Sequence, residues 1–305
     1  MKIVIAGGTG FLGRPLAAAL GAAGHRTVLL SRARSSRGGD TGSGRTTTWT
    51  PDGSAGGAWT AEIDDADAGV NLAGESIAAH RWTAAQKERI LRSRVLATQS
   101  LVEAIRRAAR PPAVLVSGSA VGYYGPLGDQ IVTEDAPEGH DFLAGVVMRW
   151  EGEAERAASA KTRVVRLRTG LVLARDGGAL PKMLPPFWFG AGGPIGSGRQ
   201  YWPWVHRKDW IALTRFAIES PSVTGPLNAV APLPVTNAKF AKALGHAMHR
   251  PAFMPTPGFA LKLLLGEMAE GLLLSGQRVV PAKAERLGFT FAYPRLEDAL
   301  ADLFG

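Results

Sequence analysis

The sequence predicts an α/β fold built on a doubly wound parallel sheet, and three observations predict it. Residues 3–6 form a short apolar run of the kind that makes a fully buried parallel strand. Gly7, Gly8 and Gly10 interrupt that run, and Leu12, Leu16, Ala19 and Leu20 follow at helical spacing. Gly7, Gly10 and Gly13 supply the second observation, a G-x-x-G-x-x-G spacing across a strand-to-helix turn. The third is an alternation of strand-length apolar runs with amphipathic helical periods that continues to about residue 174.

The first turn carries a chemical expectation. Where a glycine-rich turn opens a helix, N–H groups without intrahelical partners and the positive end of the helix dipole converge on one spot, which suits a pyrophosphate. The glycines permit the tight turn, the approach of backbone to phosphate and the close packing of helix on strand. Gly7, Thr9, Gly10, Phe11, Leu12 and Gly13 are therefore expected to hold a dinucleotide. A second strand, residues 25–30, ends at Ser31 and Arg32. An acidic residue at this place accepts hydrogen bonds from the adenosine ribose, whereas an arginine accommodates a 2′-phosphate and can grip it with two prongs. Ser31 and Arg32, with Arg34 and Arg37 close behind, point to NADP(H) rather than NAD(H).

Composition narrows the alternatives. The chain has 305 residues, 46% of them apolar, which suits one or two globular domains. It has no cysteine, which excludes disulfides, cysteine-ligated metals and cysteine nucleophiles. The formal net charge of +9 raises the question of nucleic acid, but Arg89, Arg92, Arg94, Arg106, Arg107 and Arg110 are scattered along helices without interleaved aromatics. They read as solvated faces; no nucleic-acid partner is expected, and part of the excess is assigned to a phosphorylated ligand. The first strand begins at residue 2 or 3 with no leader ahead of it, so a cytoplasmic location is expected. Residues 258–275 contain Lys262, Glu267 and Glu270 and are too interrupted for a membrane span. Leu261, Leu264, Leu265, Met268 and Leu272 instead fit one face of a helix, read as core or as the subunit contact of a homodimer, with attachment to a membrane surface as the lesser reading. His246 and His249 lack a third ligand, so no metal is expected, and no G-x-S-x-G elbow is present.

Along the chain, Gly21 and Gly24 stop the first helix, and residues 34–44 read as an exposed Ser/Gly/Arg loop. Further strands are expected at 46–50, 68–73, 113–117 and 162–167. Helices are expected at 84–109, capped by Thr83 and stopped by Pro111 and Pro112, and at 142–160. Ligands of such sheets lie outside the carboxyl ends of the strands. Leu72, Ala73, Gly74 and Glu75, then Ser117 and Gly118, then Gly170, Leu171 and Val172, are expected to border the cofactor. Ser119, Tyr123 and Tyr124 gather hydroxyls where the fifth strand ends among small residues, which suits catalysis or a lining for the cofactor. Past residue 174 the alternation lapses into a stretch rich in proline, glycine and aromatics that reads as a binding wall. Helices at 236–248, 259–274 and 296–304 close the chain.

These pieces together resemble the extended short-chain dehydrogenase/reductase superfamily, in particular its NAD(P)-dependent epimerase-like family with a C-terminal domain of unknown function. The resemblance rests on Gly7 to Gly13, Asn71-Leu72-Ala73-Gly74-Glu75, Arg81-Trp82-Thr83, Ser93-Arg94, Ser119 to Gly125, Trp150-Glu151 and Trp204-Val205-His206. It implies a Rossmann-like sheet with a smaller C-terminal substrate lobe and a bound nicotinamide cofactor. Residues 1–174 would be the NADP(H)-binding domain and 175–305 the substrate lobe and C-terminal domain, with part of 200–232 returning to the sheet.

The family's proton relay, a tyrosine with a lysine four residues later, is absent: the residues four past Tyr123, Tyr124, Tyr201 and Tyr293 are Leu127, Gly128, Val205 and Glu297. Matching Glu151 to the family's glutamate puts Leu143 and Val147 in place of that pair. The arginine that binds a sugar nucleotide four residues before the late histidine is Trp202 here, so a sugar nucleotide is not expected unless Arg199 substitutes.

Ser119 and Tyr124, with Tyr123 as a substitute phenol, are the catalytic candidates. Lys182, Arg199, Trp202 and His206 are the substrate-binding candidates. Two functions are open: an NADP(H)-dependent oxidoreductase or epimerase acting on a small molecule with an altered acid/base set, and a cofactor-binding protein without turnover whose occupancy changes a surface for a partner.

Overall fold

The computed structural model describes residues 1–32 and 44–305. Arg34, Arg37 and nearly all of the expected 34–44 loop lie outside the described residues. Seven strands form one parallel sheet: β1 (Lys2–Ala6), β2 (Arg26–Ser31), β3 (Arg45–Thr48), β4 (Ala68–Asn71), β5 (Val114–Ala120), β6 (Arg163–Thr169) and β7 (Gly225–Ala229), in the order β7-β6-β5-β4-β1-β2-β3. The order reverses between β1 and β4, the place where such a sheet opens a crevice at its carboxyl edge.

Alternate side chains of these apolar strands feed two cores. Ile3 and Ile5 face Leu16 and Leu20 of α1 (Gly13–Ala22) and Trp210 and Leu213 of the helix Arg207–Glu219. Val4 and Leu30 face Leu101 and Ile105 of α2 (Ala84–Arg107) and Ala154 of α3 (Phe142–Glu155). Each α-layer therefore covers one face of the sheet. Thr83 caps α2 by accepting from the Gln86 N–H, as its sequence suggested, and Asp141 caps α3 by accepting from Ala144.

Most boundaries shift by one or two residues from the sequence reading, and three differences are larger. Strand β5 runs on to Ala120 because it pairs with β6 residue by residue from Val114 with Arg163 to Ala120 with Thr169. Helix α3 stops at Glu155, short of 160, where Ser159 Oγ accepts from Thr162 N and turns the chain into β6. The single helix expected at 259–274 is broken: Gly258–Leu265 ends at Gly266, whose φ of +63° no helix accommodates, and a short helix and a π-turn follow to Leu274. Of the expected face Met268 is buried and Leu261, Leu265 and Leu272 are half-buried, while Leu264 is exposed.

A third core lies beyond the sheet. Leu180, Leu184 and Phe187 meet Trp202, Phe240, Leu244, Leu296 and Leu300 there, so that the helices Leu180–Trp188, Asn237–Ala247 and Leu296–Phe304 share one interior. Among the described residues no helix is long and apolar enough to cross a membrane, and no cluster of histidine or acidic residues could hold a metal.

Candidate functional site

The turn from β1 to α1 has no room for side chains. Gly7 has φ +74°, and a β-carbon there would stand 2.8 Å from the Leu72 carbonyl. One on Gly13 would stand 2.3 Å from the Gly7 oxygen, and one on Gly8 2.7 Å from the Leu29 side chain. The glycines thus press the turn onto the end of β4 and the helix onto the turn. No side chain caps α1, and no acidic residue occupies its first turn. Its first amides are left with the helix dipole behind them, the arrangement that receives a phosphate. Phe11 closes one side of the turn, because Gly177 and Gly178 fold back onto its ring; a β-carbon on Gly177 would lie 2.6 Å from it. That contact brings the segment after Val172 and Leu173 against the turn. Ser31 is half-buried and Arg32 exposed at the end of β2.

The end of β4 is fixed by polar side chains, among them Arg94, which the sequence assigned to a solvated helix face and which the structure turns inward onto the Glu75 carbonyl and Trp150. Asn71 is wholly buried, donates to Thr98 Oγ1 (2.9 Å) and accepts from Ala73 N (3.2 Å). The Glu75 N–H donates to Ser93 Oγ (3.0 Å), its carbonyl accepts from Arg94 Nη1 (3.0 Å), and its carboxylate accepts from Gln86 Nε2 (2.9 Å). Burial pulls the Arg94 guanidinium down to about 10 while Glu75 opposes the shift, and its plane lies over Trp150. Leu72 to Glu75 are thereby held rigidly beside the glycine turn.

The end of β5 carries a buried polar chain. Ser119 donates to Glu151 Oε1 (2.5 Å), and Arg168 donates to both carboxylate oxygens. Arg168 Nη1 also donates to the Tyr124 hydroxyl (3.0 Å), which donates to Asn228 Oδ1 (2.7 Å). Asn228 N in turn donates to the buried Glu134 (3.0 Å). Burial lowers the Arg168 pKa, but the bonds and charge of Glu151 outweigh it, and the net shift is upward. Burial pushes the Tyr124 phenol up to about 12 against the pull of Arg168.

Tyr124 is 1% exposed, has both sides of its hydroxyl occupied and is a poor base. This position differs from the catalytic one expected of it. Tyr123 is half-buried with its ring 3.5 Å from the Arg168 guanidinium, and its hydroxyl donates to Glu138 (3.2 Å). Burial, against the pull of Arg168, raises its pKa. Leu143 lies against Gly122, while Val147 is buried, so neither of the positions matched to the tyrosine and lysine carries a proton donor.

The substrate-binding candidates separate. Lys182 donates to the carbonyl of Ala78 (3.4 Å), in the segment that follows β4. Arg199 is exposed, and the structure gives it no side-chain contact to the carboxyl edge of the sheet. Trp202 and His206 are both buried. Trp202 is buried edge-on against Phe240 in the third core. His206 is 2% exposed, caps the helix Arg207–Glu219 by accepting from Lys208 N (3.2 Å) and packs on Tyr293. Both side chains are consumed by packing, which an aromatic-rich sequence does not distinguish from a binding wall.

Comparison with known proteins extends these observations. The model of the NAD dependent epimerase/dehydratase family matches residues 3–229, and that of a domain of unknown function (DUF1731) matches residues 256–303. Epimerase family protein SDR39U1 of Bos taurus is 41% identical over 307 residues, 99% of each chain. Epimerase family protein YfhF of Bacillus subtilis (strain 168) is 40% identical over 305 residues, 99% of this chain and 98% of the other. The crystal structure of human SDR39U1 (isoform 2) with NADPH superposes with a TM-score of 0.90 at 38% identity, covering 99% of both chains. That of a nucleoside-diphosphate sugar epimerase from Corynebacterium glutamicum has a TM-score of 0.80 at 34% identity, covering all of this chain and 58% of the other. The glycine turn, the sheet order and the end-to-end match agree: the chain belongs to the NAD dependent epimerase/dehydratase family.

Proposed function

We propose that this chain binds NADP(H) across the carboxyl edge of its sheet and acts as an oxidoreductase or epimerase on a small molecule other than a sugar nucleotide. The observation that carries the reading is the turn at Gly7 to Gly13, where a β-carbon would collide with backbone and the first amides of α1 have no side-chain cap. A cradle so shaped fits a pyrophosphate. The human relative crystallised with NADPH supports the choice of ligand.

In this reading residues 1–174 carry the cofactor and 175–305 the substrate lobe. The amides of Phe11, Leu12 and Gly13 hold the pyrophosphate, with Thr9 and the Phe11 ring flanking it and Gly10, whose N–H is taken by the Gly7 carbonyl, shaping the turn beneath. Ser31 and Arg32 take the 2′-phosphate. Leu72 to Glu75, Ser117, Gly118 and Gly170 to Val172 border the nicotinamide half. When bound, the cofactor supplies hydride transfer to or from a carbinol carbon. Ser119 orients polar groups at the end of β5 through Glu151, and Tyr123, the phenol with solvent access, exchanges a proton through Glu138. Tyr124 holds Arg168 and Asn228 in place from behind. Lys182 supplies charge at the mouth of the crevice.

Titration with NADPH tests the reading. Enhanced or blue-shifted nicotinamide fluorescence is expected, and a flat titration overturns it. A second reading, NADP(H) binding without turnover, is favoured by the enclosure of Tyr124 and by the apolar Leu143 and Val147. The two are separated by following oxidation of bound NADPH with a panel of carbonyl compounds, where silence across the panel favours the second.

A further inference from the structure

The charge of this protein is segregated. Residues 177–208 and 220–266 contain no aspartate or glutamate at all, yet carry eight lysines and arginines. Among the described residues Lys182, Arg199, Lys239, Lys242 and Arg250 form no ion pair. The same two segments hold most of the large apolar side chains left in solvent. Phe189 is 85% exposed, Leu263 81% and Phe259 77%, and Leu264, Phe253 and Met254 accompany them.

Backbone contacts bring these side chains onto adjoining strips. Met254 N donates to Gly192 O (3.1 Å) and Thr256 N to Pro194 O (2.8 Å), which lays residues 253–256 along the chain that follows Phe189. Gly258, at the start of the apolar helix, stands over Gly196. Arg250 precedes this strip, and Ala252 packs on Gly245 of the helix that bears Lys239 and Lys242. The result is an apolar ridge bordered on one side by Lys239, Lys242 and Arg250, which have no carboxylate partner among the described residues, and at its far end by the paired Lys262 and Glu270.

We propose that this face docks the protein peripherally on an anionic phospholipid surface. Exposed apolar patches of this extent mark interaction sites. Two features favour lipid over a protein groove. In the helix Gly258–Leu265 no residue is buried; Leu261 and Leu265 are half-buried, while Phe259, Leu263 and Leu264 present an apolar side to solvent. A helix of that kind suits immersion at the headgroup boundary better than a shaped cleft. Lys239, Lys242 and Arg250 carry the unpaired charge beside the ridge, with Glu267 and Glu270 confined to its far end against Lys87 and Lys262, and that charge complements phosphate headgroups at several positions instead of one. The segment does not span a bilayer; it lies on one.

Co-sedimentation of the full chain with vesicles tests the proposal. Wild type is expected to pellet with vesicles of equal parts phosphatidylglycerol and phosphatidylcholine and to stay in the supernatant with phosphatidylcholine alone or in high salt. Leu263→Asp combined with Leu264→Asp should weaken partition by about tenfold or more, and Lys239→Glu, Lys242→Glu and Arg250→Glu by about fivefold each. All five positions are solvent-exposed, and unchanged thermal melts and NADPH titrations verify that the variants fold. Wild type that ignores both vesicle types, or variants that pellet as wild type does, overturn the proposal. So does concentration-dependent dimerisation abolished by the leucine variant without any vesicle binding, which would assign the ridge to a second copy of the chain.

Discussion

Arg168 holds Glu151 by two prongs, Nε to Oε1 at 2.8 Å and Nη2 to Oε2 at 2.9 Å, where neither residue is more than 4% exposed. The pair ties β6 to α3 and supplies the anchor on which Ser119 and Tyr124 are aligned. Removing Arg168 leaves Glu151 buried with only Ser119 and, at 3.6 Å, the half-buried Arg166 to offset its charge, which costs up to about 3–5 kcal/mol. Arg168→Met is therefore expected to lower the unfolding free energy by about that amount in urea titrations. A loss under about 1 kcal/mol would show that solvent reaches Glu151.

The glycine turn makes a sharper demand. A β-carbon on Gly13 meets the Gly7 carbonyl oxygen at 2.3 Å, and that oxygen also accepts from Gly10 N (3.0 Å), so the backbone cannot yield without opening the turn. Gly13→Ala should weaken NADPH by at least about tenfold and lower stability by about 1–3 kcal/mol. Fluorescence titration and a thermal melt measure the two losses separately. Gly21→Ala, where a β-carbon meets nothing, is the control and should leave both unchanged or raise stability slightly.

Arg32 tests the choice between the two nicotinamide dinucleotides. An exposed guanidinium at the end of β2 has no carboxylate partner among the described residues, and a 2′-phosphate would give it one. Arg32→Asp replaces a charge-assisted bond of about 1.5–3 kcal/mol with repulsion. NADPH affinity should fall by about ten- to a hundredfold while NADH affinity stays within about twofold. Equal losses would remove Arg32 from the phosphate site.

Much of this was legible in the sequence because local rules and the fold agree. Apolar runs specified the strands, Thr83 specified the start of α2, and three glycines specified the turn. The site beyond β5 was legible only as a group of hydroxyls. Whether a tyrosine faces a crevice or a core depends on partners far along the chain, and Tyr124 meets Arg168 and Asn228 forty-four and 104 positions away. The burial of His206 and Trp202 was not legible for the same reason, since Tyr293 and Phe240, which pack on them, come from separate elements. The broken helix after Gly258 was missed because a glycine inside an apolar period does not announce its sign of φ. Gly266 takes the left-handed one.

The two neighbouring tyrosines separate structure from chemistry. Tyr124→Phe deprives Asn228 Oδ1 of a donor inside the core and should cost about 1–3 kcal/mol of stability. Tyr123→Phe removes only a bond to Glu138 at the surface and should leave the melt within about 0.5 kcal/mol. If turnover is found, Tyr123→Phe should change its pH profile, whereas Tyr124→Phe should alter its rate without moving that profile. The reverse pattern would return Tyr124 to the role of acid or base.

His206 makes stability depend on pH in a window that few other groups share. Burial holds its folded pKa down to about 4 from 6.5, with Asp302 (3.4 Å from Nε2) pulling the other way. Above pH 6.5 the imidazole is neutral in both states and contributes no slope. Between 6.5 and about 4 the unfolded chain takes up a proton that the folded one refuses, so stability falls as the pH falls. Below about 4 both states are protonated and this contribution levels off. The loss across the window is on the order of 2–3 kcal/mol. His206→Asn keeps an oxygen that can accept from Lys208 N at the helix start and removes the titrating ring. Urea unfolding at intervals from pH 7 to pH 4 should show a shallower decline in the variant than in wild type; parallel curves would mean that the imidazole protonates in place without loss of the fold.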